Sequence, residues 1–383
     1  MKIAIASSGL GHVNRGIESW AEGLSAGLAV RGMDVRLYMG GGNAKKPYEE
    51  VLPCWQRFSR KTSRLLKCLP RRFFWRYGFG GPYAVEQTTF AWNLVRALRR
   101  RPVDLVHVQD PQVAYIVNKA QKMGKIQGKT ILGNGTEESM EFLSAFDFIQ
   151  VFSPQLVKEC KSAHVWKPTW ELIPCSIDSS VFQPGRDSRY KVDLGIPPDG
   201  KIILSVAAIK TAHKRIDYLI QEFATLRELD PALPVHLVVA GSWEKDTDEI
   251  LRRGKELLGD RVHFLVNFNR ADVVRLYQNA DLFVLASLNE TFGLVLLEAM
   301  ATGIPCVTNK GSVPEWVVGE GGVSTDMGKK GALANTCRDL LNNPGEVKAL
   351  GKKAREACEA RFSESAVTDQ YVKYYERIIS SSC

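Results

Sequence analysis

The chain has 383 residues, 45% of them hydrophobic and 24% charged, with a net charge of +9, which is typical of a globular protein long enough for two domains. No apolar run is long enough to span a bilayer, and the start MKIAIASSG is too short to predict a signal peptide. The eight scattered cysteines contain no CxxC pair, which predicts reduced thiols in a cytoplasmic protein and no structural zinc.

The first half of the chain alternates short β-rich runs with helical patterns. Strands are predicted at 2–6, 34–39, 103–108, 129–132 and 146–151, and the first helix at 15–31. A connection with several prolines covers 168–198. Such alternation favours a parallel sheet covered by helices on both faces.

The same alternation then restarts. Strands are predicted at 202–208, 234–241, 262–266, 281–287 and 305–308, and helices near 215–229, 246–258, 271–279 and from about 293. We therefore predict an α/β protein with two doubly wound, Rossmann-like domains that face each other across a cleft. The predicted parts are an acceptor domain at 1–168, a connection at 169–198, a nucleotide-binding domain at 199–362 and a terminal helix at 363–383 that packs back on the first domain.

The loop after the first strand, SSGLGHVNRGIE, has the composition of a phosphate-binding turn. Gly9 and Gly11 would let the backbone approach a diphosphate at a helix N-terminus, and His12, Asn14 and Arg15 gather beside them. A dinucleotide fingerprint is excluded because position 14 is not glycine and no acidic residue ends the second strand. The alternative interpretation is a turn without a ligand.

The stretch NETFGLVLLEAMATGIP at 289–305 places two carboxylates, Glu290 and Glu298, around the start of a predicted helix. We expect residues 291–294 to form its first turn, whose free amides suit a phosphate. Carboxylates would repel that phosphate but bind the diols that a nucleotide-sugar carries at each end. Complementing the helix dipole is the competing explanation.

Glu290 and Glu298, with seven residues between them, resemble the E-x7-E motif of the retaining glycosyltransferases of family 4, which have the GT-B fold. Other segments of that family resemble IPCSIDSSVFQP (173–184), SAFDFIQVFSPQL (144–156), DLVHVQDP (104–111) and GSVPEWVVGEGG (311–322). The resemblance runs along most of the chain.

The resemblance implies a role for each matching residue. Glu298 would hold the ribose and Glu290 the transferred sugar, while Lys214 would bind the diphosphate as a catalytic cation. Further donor contacts are implied for Gly9, Gly11, Arg215, Gly241, Phe268, Phe292, Gly293, Leu294 and Val295. The acceptor side would include His12, Asn14, Arg15, His107 and Asp110.

The chain departs from the family at two places. Ala207 and Ala208 stand where the family usually has Gly-Arg, so Arg215 or Lys210 would have to supply the second phosphate-binding cation. Asn134 replaces a histidine near the acceptor; it is predicted in the catalytic set, because it can bind a sugar hydroxyl, but it cannot act as an acid or base.

The function we expect is transfer of a sugar from a nucleotide-sugar to a glycan or lipid-linked acceptor, with retention and without a metal or other cofactor. The alternatives are a nucleotide-sugar 2-epimerase, an inactive GT-B protein that binds nucleotide or a partner, and an inverting transferase with His12 as base.

The first half of the chain is strongly basic. Residues 1–170 carry 25 Lys+Arg against 13 Asp+Glu, whereas residues 171–383 carry 26 against 29. Cations mix with aromatics most densely at 57–79, which predicts peripheral binding to an anionic membrane surface. The predicted patch comprises Arg71, Arg72, Phe73, Phe74 and Trp75. A solvated basic loop is the alternative, and nucleic acid is not expected as a partner because no recognition motif accompanies the charge.

Overall fold

A computed structural model describes residues 1–13, 16–68, 78–269 and 272–381 of the chain. Asn14, Arg15 and the predicted membrane patch, Arg71 to Trp75, therefore lie outside the described residues. The chain forms two compact units, one of Met1–Cys175 with Val367–Cys383 and one of Ser176–Ala366. The border at 175/176 falls within the predicted connection.

The first unit is built on a seven-stranded sheet with the order β3-β2-β1-β4-β5-β6-β7, in which every pair is parallel. Its strands are β1 (Lys2–Ser7), β2 (Asp34–Met39), β3 (Glu49–Val51), β4 (Leu105–Val108), β5 (Lys129–Asn134), β6 (Phe148–Val151) and β7 (Glu171–Leu172). Alternate residues of β1 enter different cores, with Ile3 and Ile5 on one face and Ala4 and Ala6 on the other. Burial on both faces explains the continuous apolar runs.

Helices cover both faces of this sheet. They are α1 (Gly16–Val30), α2 (Arg60–Cys68), α3 (Pro82–Arg100), α4 (Pro111–Lys122), α5 (Met140–Ser144), α6 (Pro154–Ser162) and the terminal α15 (Glu364–Ser380). Tyr371 and Tyr375 of α15 share a core with Ile3 and Ile5, and Trp20 of α1 donates a hydrogen bond to the Tyr371 hydroxyl at 2.9 Å. The terminal helix is thus part of the first unit.

The second unit has a six-stranded parallel sheet with the order β10-β9-β8-β11-β12-β13. Its strands are β8 (Lys201–Val206), β9 (Val235–Gly241), β10 (Val262–Val266), β11 (Leu282–Val284), β12 (Cys306–Asn309) and β13 (Gly322–Thr325). Its helices are α7 (Ser188–Asp193), α8 (Ile216–Leu229), α9 (Thr247–Leu258), α10 (Val273–Asn279), α11 (Leu294–Ala301), α12 (Val313–Val318), α13 (Ala332–Leu341) and α14 (Pro344–Phe362). Two parallel-sheet, Rossmann-like units confirm the predicted fold class.

Three strands, β3, β7 and β13, were not predicted. Each lies at an edge of its sheet, and their sequences EEV, EL and GVST lack an apolar run. An edge strand pairs on one side and is not enclosed on both faces, so it does not need the apolar pattern of a central strand. Within the described ranges, no helix is both long and apolar enough to cross a membrane.

Candidate functional site

The two glutamates lie at the carboxyl edge of the second sheet, but they do not share one helix. Helix α11 begins at Leu294, after Gly293 adopts a left-handed backbone with φ 87° and ψ 67°. The predicted first turn at 291–294 is therefore wrong, because such a residue cannot continue into a right-handed helix. Glu290 belongs to the loop before the helix and Glu298 to its second turn.

Glu290 forms an ion pair with Lys214. The Lys214 Nζ lies 2.5 Å from Glu290 Oε2, and the two side chains are 26% and 20% exposed. Lys214 comes from a different loop, between β8 and α8, 76 residues earlier in the chain. The sequence identified both residues separately, and the structure brings them together at the edge where ligands bind in parallel sheets.

The loop that carries Lys214 has an unusual backbone. His213 and Arg215, on either side of it, have φ values of 66° and 51°. Left-handed backbone at a non-glycine residue costs energy and persists only when the surroundings enforce it. The Arg215 guanidinium does so here by donating to the carbonyls of Ala286, at 3.3 Å, and Met327, at 3.0 Å.

Arg215 thus has a structural role that limits its use as a phosphate ligand. Its guanidinium also stacks on the Tyr218 ring, 3.9 Å from the centroid, and two of its five N–H donors are engaged by these carbonyls. Lys210, half-buried on the same loop, forms no ion pair with any described carboxylate. Of the two cations predicted to replace the missing arginine, Lys210 is therefore the one whose charge is not engaged by a hydrogen bond or ion pair with a described group.

Glu298 is only 1% exposed and accepts a hydrogen bond from the Tyr277 hydroxyl at 2.7 Å. A buried carboxylate needs such donors, because an unpaired charge inside a protein is costly. Phe292 is also buried, among Trp316 and Phe362. Its ring is therefore part of the core, and only its backbone remains for the predicted donor contact.

The loops after β9 and β10 are tied together. The amide of Asn267 donates to the Gly241 carbonyl at 2.7 Å, and the Asn267 side chain accepts from the Trp243 amide at 3.0 Å. A Cβ on Gly241 would lie 1.7 Å from the Ala207 carbonyl oxygen, so only glycine fits there. Phe268 follows directly and is half-buried. Trp243, which the sequence analysis missed, is 50% exposed beside these loops.

In the first unit, the β1–α1 loop packs tightly against the loop after β2. Gly11 has φ +92°, and a Cβ there would lie 2.2 Å from the Gly41 carbonyl oxygen. A Cβ on Gly9 would lie 2.1 Å from the Glu18 carboxylate. Gly11 is therefore required by its left-handed backbone and by close packing, whereas the atom nearest to Gly9 is the end of the Glu18 side chain.

His12 belongs to a buried network that the sequence did not reveal. Its Nε2 lies 2.9 Å from the carboxylate of Glu86, which also pairs with Arg57 at 2.5 Å. Burial alone would raise the pKa of Glu86, but the hydrogen bonds from His12 and Arg57 outweigh burial and lower that pKa to about 2. An ionised carboxylate only accepts, so His12 Nε2 carries the proton.

The other nitrogen of His12, Nδ1, is enclosed and has no hydrogen-bond partner in the described structure. A Cβ on Gly41 would lie 2.7 Å from it. With the proton on Nε2, the His12 ring keeps its lone pair on the enclosed Nδ1. The alternative of an inverting transferase with His12 as base, and the place of His12 on the acceptor side, therefore stay predictions.

Two further acceptor-side predictions are corrected by burial. The His107 ring is fully enclosed among Trp20, Tyr371 and Tyr375, and burial lowers its pKa to about 3. Asp110 is also fully buried, where it accepts from the Ser8 amide at 2.7 Å and the Tyr83 hydroxyl at 2.5 Å. Both residues hold the first unit together.

Asn134 ends β5 and is 3% exposed, and its Oδ1 has no hydrogen-bond partner among the described residues. A buried amide oxygen without a partner is unusual in a folded protein. Asn134 Oδ1 shares this property with Nδ1 of His12 and Nε2 of His107, which also have no hydrogen-bond partner among the described residues.

Comparisons with known proteins agree on the family. Residues 187–357 match the family described as glycosyl transferases group 1. Over 317 residues the chain is 28% identical to N-acetyl-alpha-D-glucosaminyl L-malate synthase of Bacillus anthracis, covering 78% of this chain and 81% of that enzyme.

Solved structures agree on the fold. Sucrose-phosphate synthase from Thermosynechococcus elongatus superposes with a TM-score of 0.77 at 19% identity, over 100% of both chains. Anabaena HepE, solved with UDP and glucose, superposes with a TM-score of 0.72 at 17% identity, also over 100% of both. The match to the glycosyl transferases group 1 family covers residues 187–357, and the chain is a glycosyltransferase with the GT-B fold.

Proposed function

We propose that the protein transfers a sugar from a nucleotide-sugar to a glycan or lipid-linked acceptor, with retention of the anomeric configuration. The observation that carries the proposal is the Lys214–Glu290 pair at the carboxyl edge of the second sheet, with 2.5 Å between Nζ and Oε2. The presence of UDP and glucose in the HepE structure supports a nucleotide-sugar as the donor.

Each partner of the pair suits one part of such a donor. The Lys214 ammonium neutralises the diphosphate as the bond from the anomeric carbon to the phosphate oxygen breaks. The Glu290 carboxylate accepts hydrogen bonds from hydroxyls of the transferred sugar, whose anomeric carbon becomes oxocarbenium-like. Until the donor arrives, each side chain neutralises the other, which keeps two partly buried charges paired.

The rest of the donor site is proposed from the surrounding elements. The amides of Leu294 and Val295 open helix α11 and suit a phosphate oxygen. Glu298 would hold the ribose diol, with Tyr277 fixing its orientation, and the exposed Trp243 ring would stack on the base. Lys214 and these amides supply the positive charge, so we propose a reaction without a metal ion.

The test is a panel of uridine, guanosine and adenosine diphosphate sugars, in which release of the nucleoside diphosphate is followed with and without acceptors. L-malate, glycan extracts and lipid extracts serve as acceptors. Release that depends on an acceptor supports transfer. An altered sugar formed without any acceptor would indicate an epimerase instead, and no turnover of any donor would indicate an inactive binding protein.

Within the same proposal, the protein is cytoplasmic and binds the inner face of a membrane peripherally through its basic segment. The support is charge, because residues 57–79 are rich in Lys and Arg, together with Phe58, whose side chain is 82% exposed. The measurement is co-sedimentation with neutral and anionic liposomes at low and high salt. Equal binding to both kinds of liposome, or binding to neither, would contradict the proposal.

A further inference from the structure

A surface pocket of about 570 Å³ lies in the first unit, between α2, α3 and the segment that follows β3. This volume is in the range of sites that hold a small organic molecule. None of the residues predicted to contact the donor lines this pocket.

The walls of the pocket are aromatic. Trp55 and Trp92 line it and are 42% and 48% exposed, and Phe79 packs edge-on against Trp92 with ring centroids 5.9 Å apart. Leu65 of α2 completes the apolar surface. Single exposed apolar residues are ordinary, but large aromatic side chains gathered around one concavity mark a binding site.

The rim of the pocket is cationic. Lys61 and Arg96 line it, and no lining residue is acidic. The Arg96 guanidinium donates to the Asn93 side chain at 3.0 Å, but neither cation forms an ion pair with a described carboxylate. The charges are therefore available to an anionic group on a ligand.

The pocket adjoins the loops at the carboxyl edge of the first sheet. The segment 53–57 contributes four lining residues, Pro53 to Gln56, and the same segment also contacts the loop after β2 and helix α3. Cys54 Sγ lies 3.2 Å from the Gly40 carbonyl oxygen, and Arg57 pairs with Glu86. The segment 53–57 alone would thus separate a ligand in the pocket from the β1–α1 loop.

We propose that this pocket binds the apolar chain and the phosphate of a lipid-linked acceptor. A concave site takes one amphiphilic molecule, whereas a flat membrane surface needs protruding side chains. The aromatic walls match a hydrocarbon chain, and Lys61 and Arg96 match the phosphate. The identification of the ligand as an acceptor rests on the proposed transfer reaction. Binding of the ligand in the pocket does not depend on that reaction.

The experiment is calorimetric titration of the full chain with three probes below the critical micelle concentration. A short-chain lysophosphatidic acid carries both features, the monoacylglycerol of the same chain length only the chain, and glycerol 3-phosphate only the phosphate. We expect the first probe to bind at least about tenfold more tightly than the other two, a difference of about 1.4 kcal/mol. Equal affinities for the three probes would overturn the proposal.

Variants locate the site. Trp92→Ala should weaken lysophosphatidic acid binding about tenfold through lost apolar contact, whereas Tyr115→Ala, which removes a 40% exposed aromatic of the same unit, should not. Lys61→Gln should weaken binding and its salt dependence, and Lys125→Gln, outside the pocket, should change neither. Equal effects within either pair would place binding elsewhere.

The outcomes separate this inference from the transfer reaction. Wild-type protein that transfers sugar to a soluble acceptor but binds no probe would overturn the pocket and leave the reaction standing. Probe binding that Trp92→Ala weakens, in a protein that turns over no donor, would support the pocket and contradict the reaction. Trp92-dependent binding to vesicles but not to the monomeric probe would assign the aromatics to a membrane surface and overturn the inference.

Discussion

Replacing Lys214 by alanine tests the centre of the proposed site. The Lys214 ammonium lies 2.5 Å from Glu290 and is 26% exposed, so its charge acts in a partly desolvated region. One unit charge about 4 Å from a diphosphate oxygen is worth at most about 4 kcal/mol at an effective dielectric constant near 20. Groups that stabilise developing charge usually contribute about 2.7–4 kcal/mol, so we expect turnover to fall about 100- to 1,000-fold.

The ion pair makes a second, sharper prediction for the same experiment. In Lys214→Ala, the Glu290 carboxylate remains without its cation and repels the diphosphate. In the wild-type background, Glu290→Gln should raise the activation free energy of transfer by about 1.5–3 kcal/mol. In the Lys214→Ala background the same substitution should raise it little or not at all, since residues in direct contact do not act additively.

The assay is release of nucleoside diphosphate at saturating donor and acceptor, with thermal unfolding as a check that each variant is folded. Lys352→Ala is the matched control, because Lys352 pairs with Glu356 on the exposed face of α14 in the same unit. Three outcomes would contradict the role proposed for the Lys214–Glu290 pair. They are turnover of Lys214→Ala above about one third of wild type, rescue of that turnover by magnesium, and losses of turnover that simply multiply in the double variant.

Three further predictions concern binding, stereochemistry and pH. Glu298→Gln should raise the donor KM about tenfold or more, because a charge-assisted bond to the ribose is lost, and an unchanged KM would remove Glu298 from the site. Proton NMR of the first-formed product should show the anomeric configuration of the donor, and inversion would contradict the proposed mechanism. Burial, aided by Arg261, lowers the pKa of His236 from 6.5 to about 4. The unfolded chain therefore binds this proton more readily, so the stabilisation is complete above pH 6.5 and is lost as the pH falls towards 4. His236→Gln should reduce the fall in melting temperature over this window without abolishing it, because His107 contributes in the same direction, and an unaltered profile would rule His236 out as a cause.

The central strands and the long helices could be predicted from the amino-acid sequence. Strands such as β1, β2 and β9 are enclosed on both faces. Because both faces are buried, consecutive residues are apolar, and this pattern is visible in the amino-acid sequence. The two glutamates and Lys214 were also found from the sequence, because they occupy the strand-to-helix loops where parallel sheets bind ligands. Edge strands such as β3 were not predicted, because a strand that pairs on one side only does not require a continuous apolar run.

Whether a polar residue is available to a ligand or holds the fold together depends on its tertiary contacts. The sequence shows His12, His107 and Asp110 as polar residues near strand ends, but it does not show that Glu86, Tyr375 and Tyr83 meet them from distant helices. These partners lie 74, 268 and 27 residues away along the chain. Hydrogen bonds act over about 3 Å in space and carry no periodic signal in sequence, so their pairing is fixed only when the helices pack on the sheet.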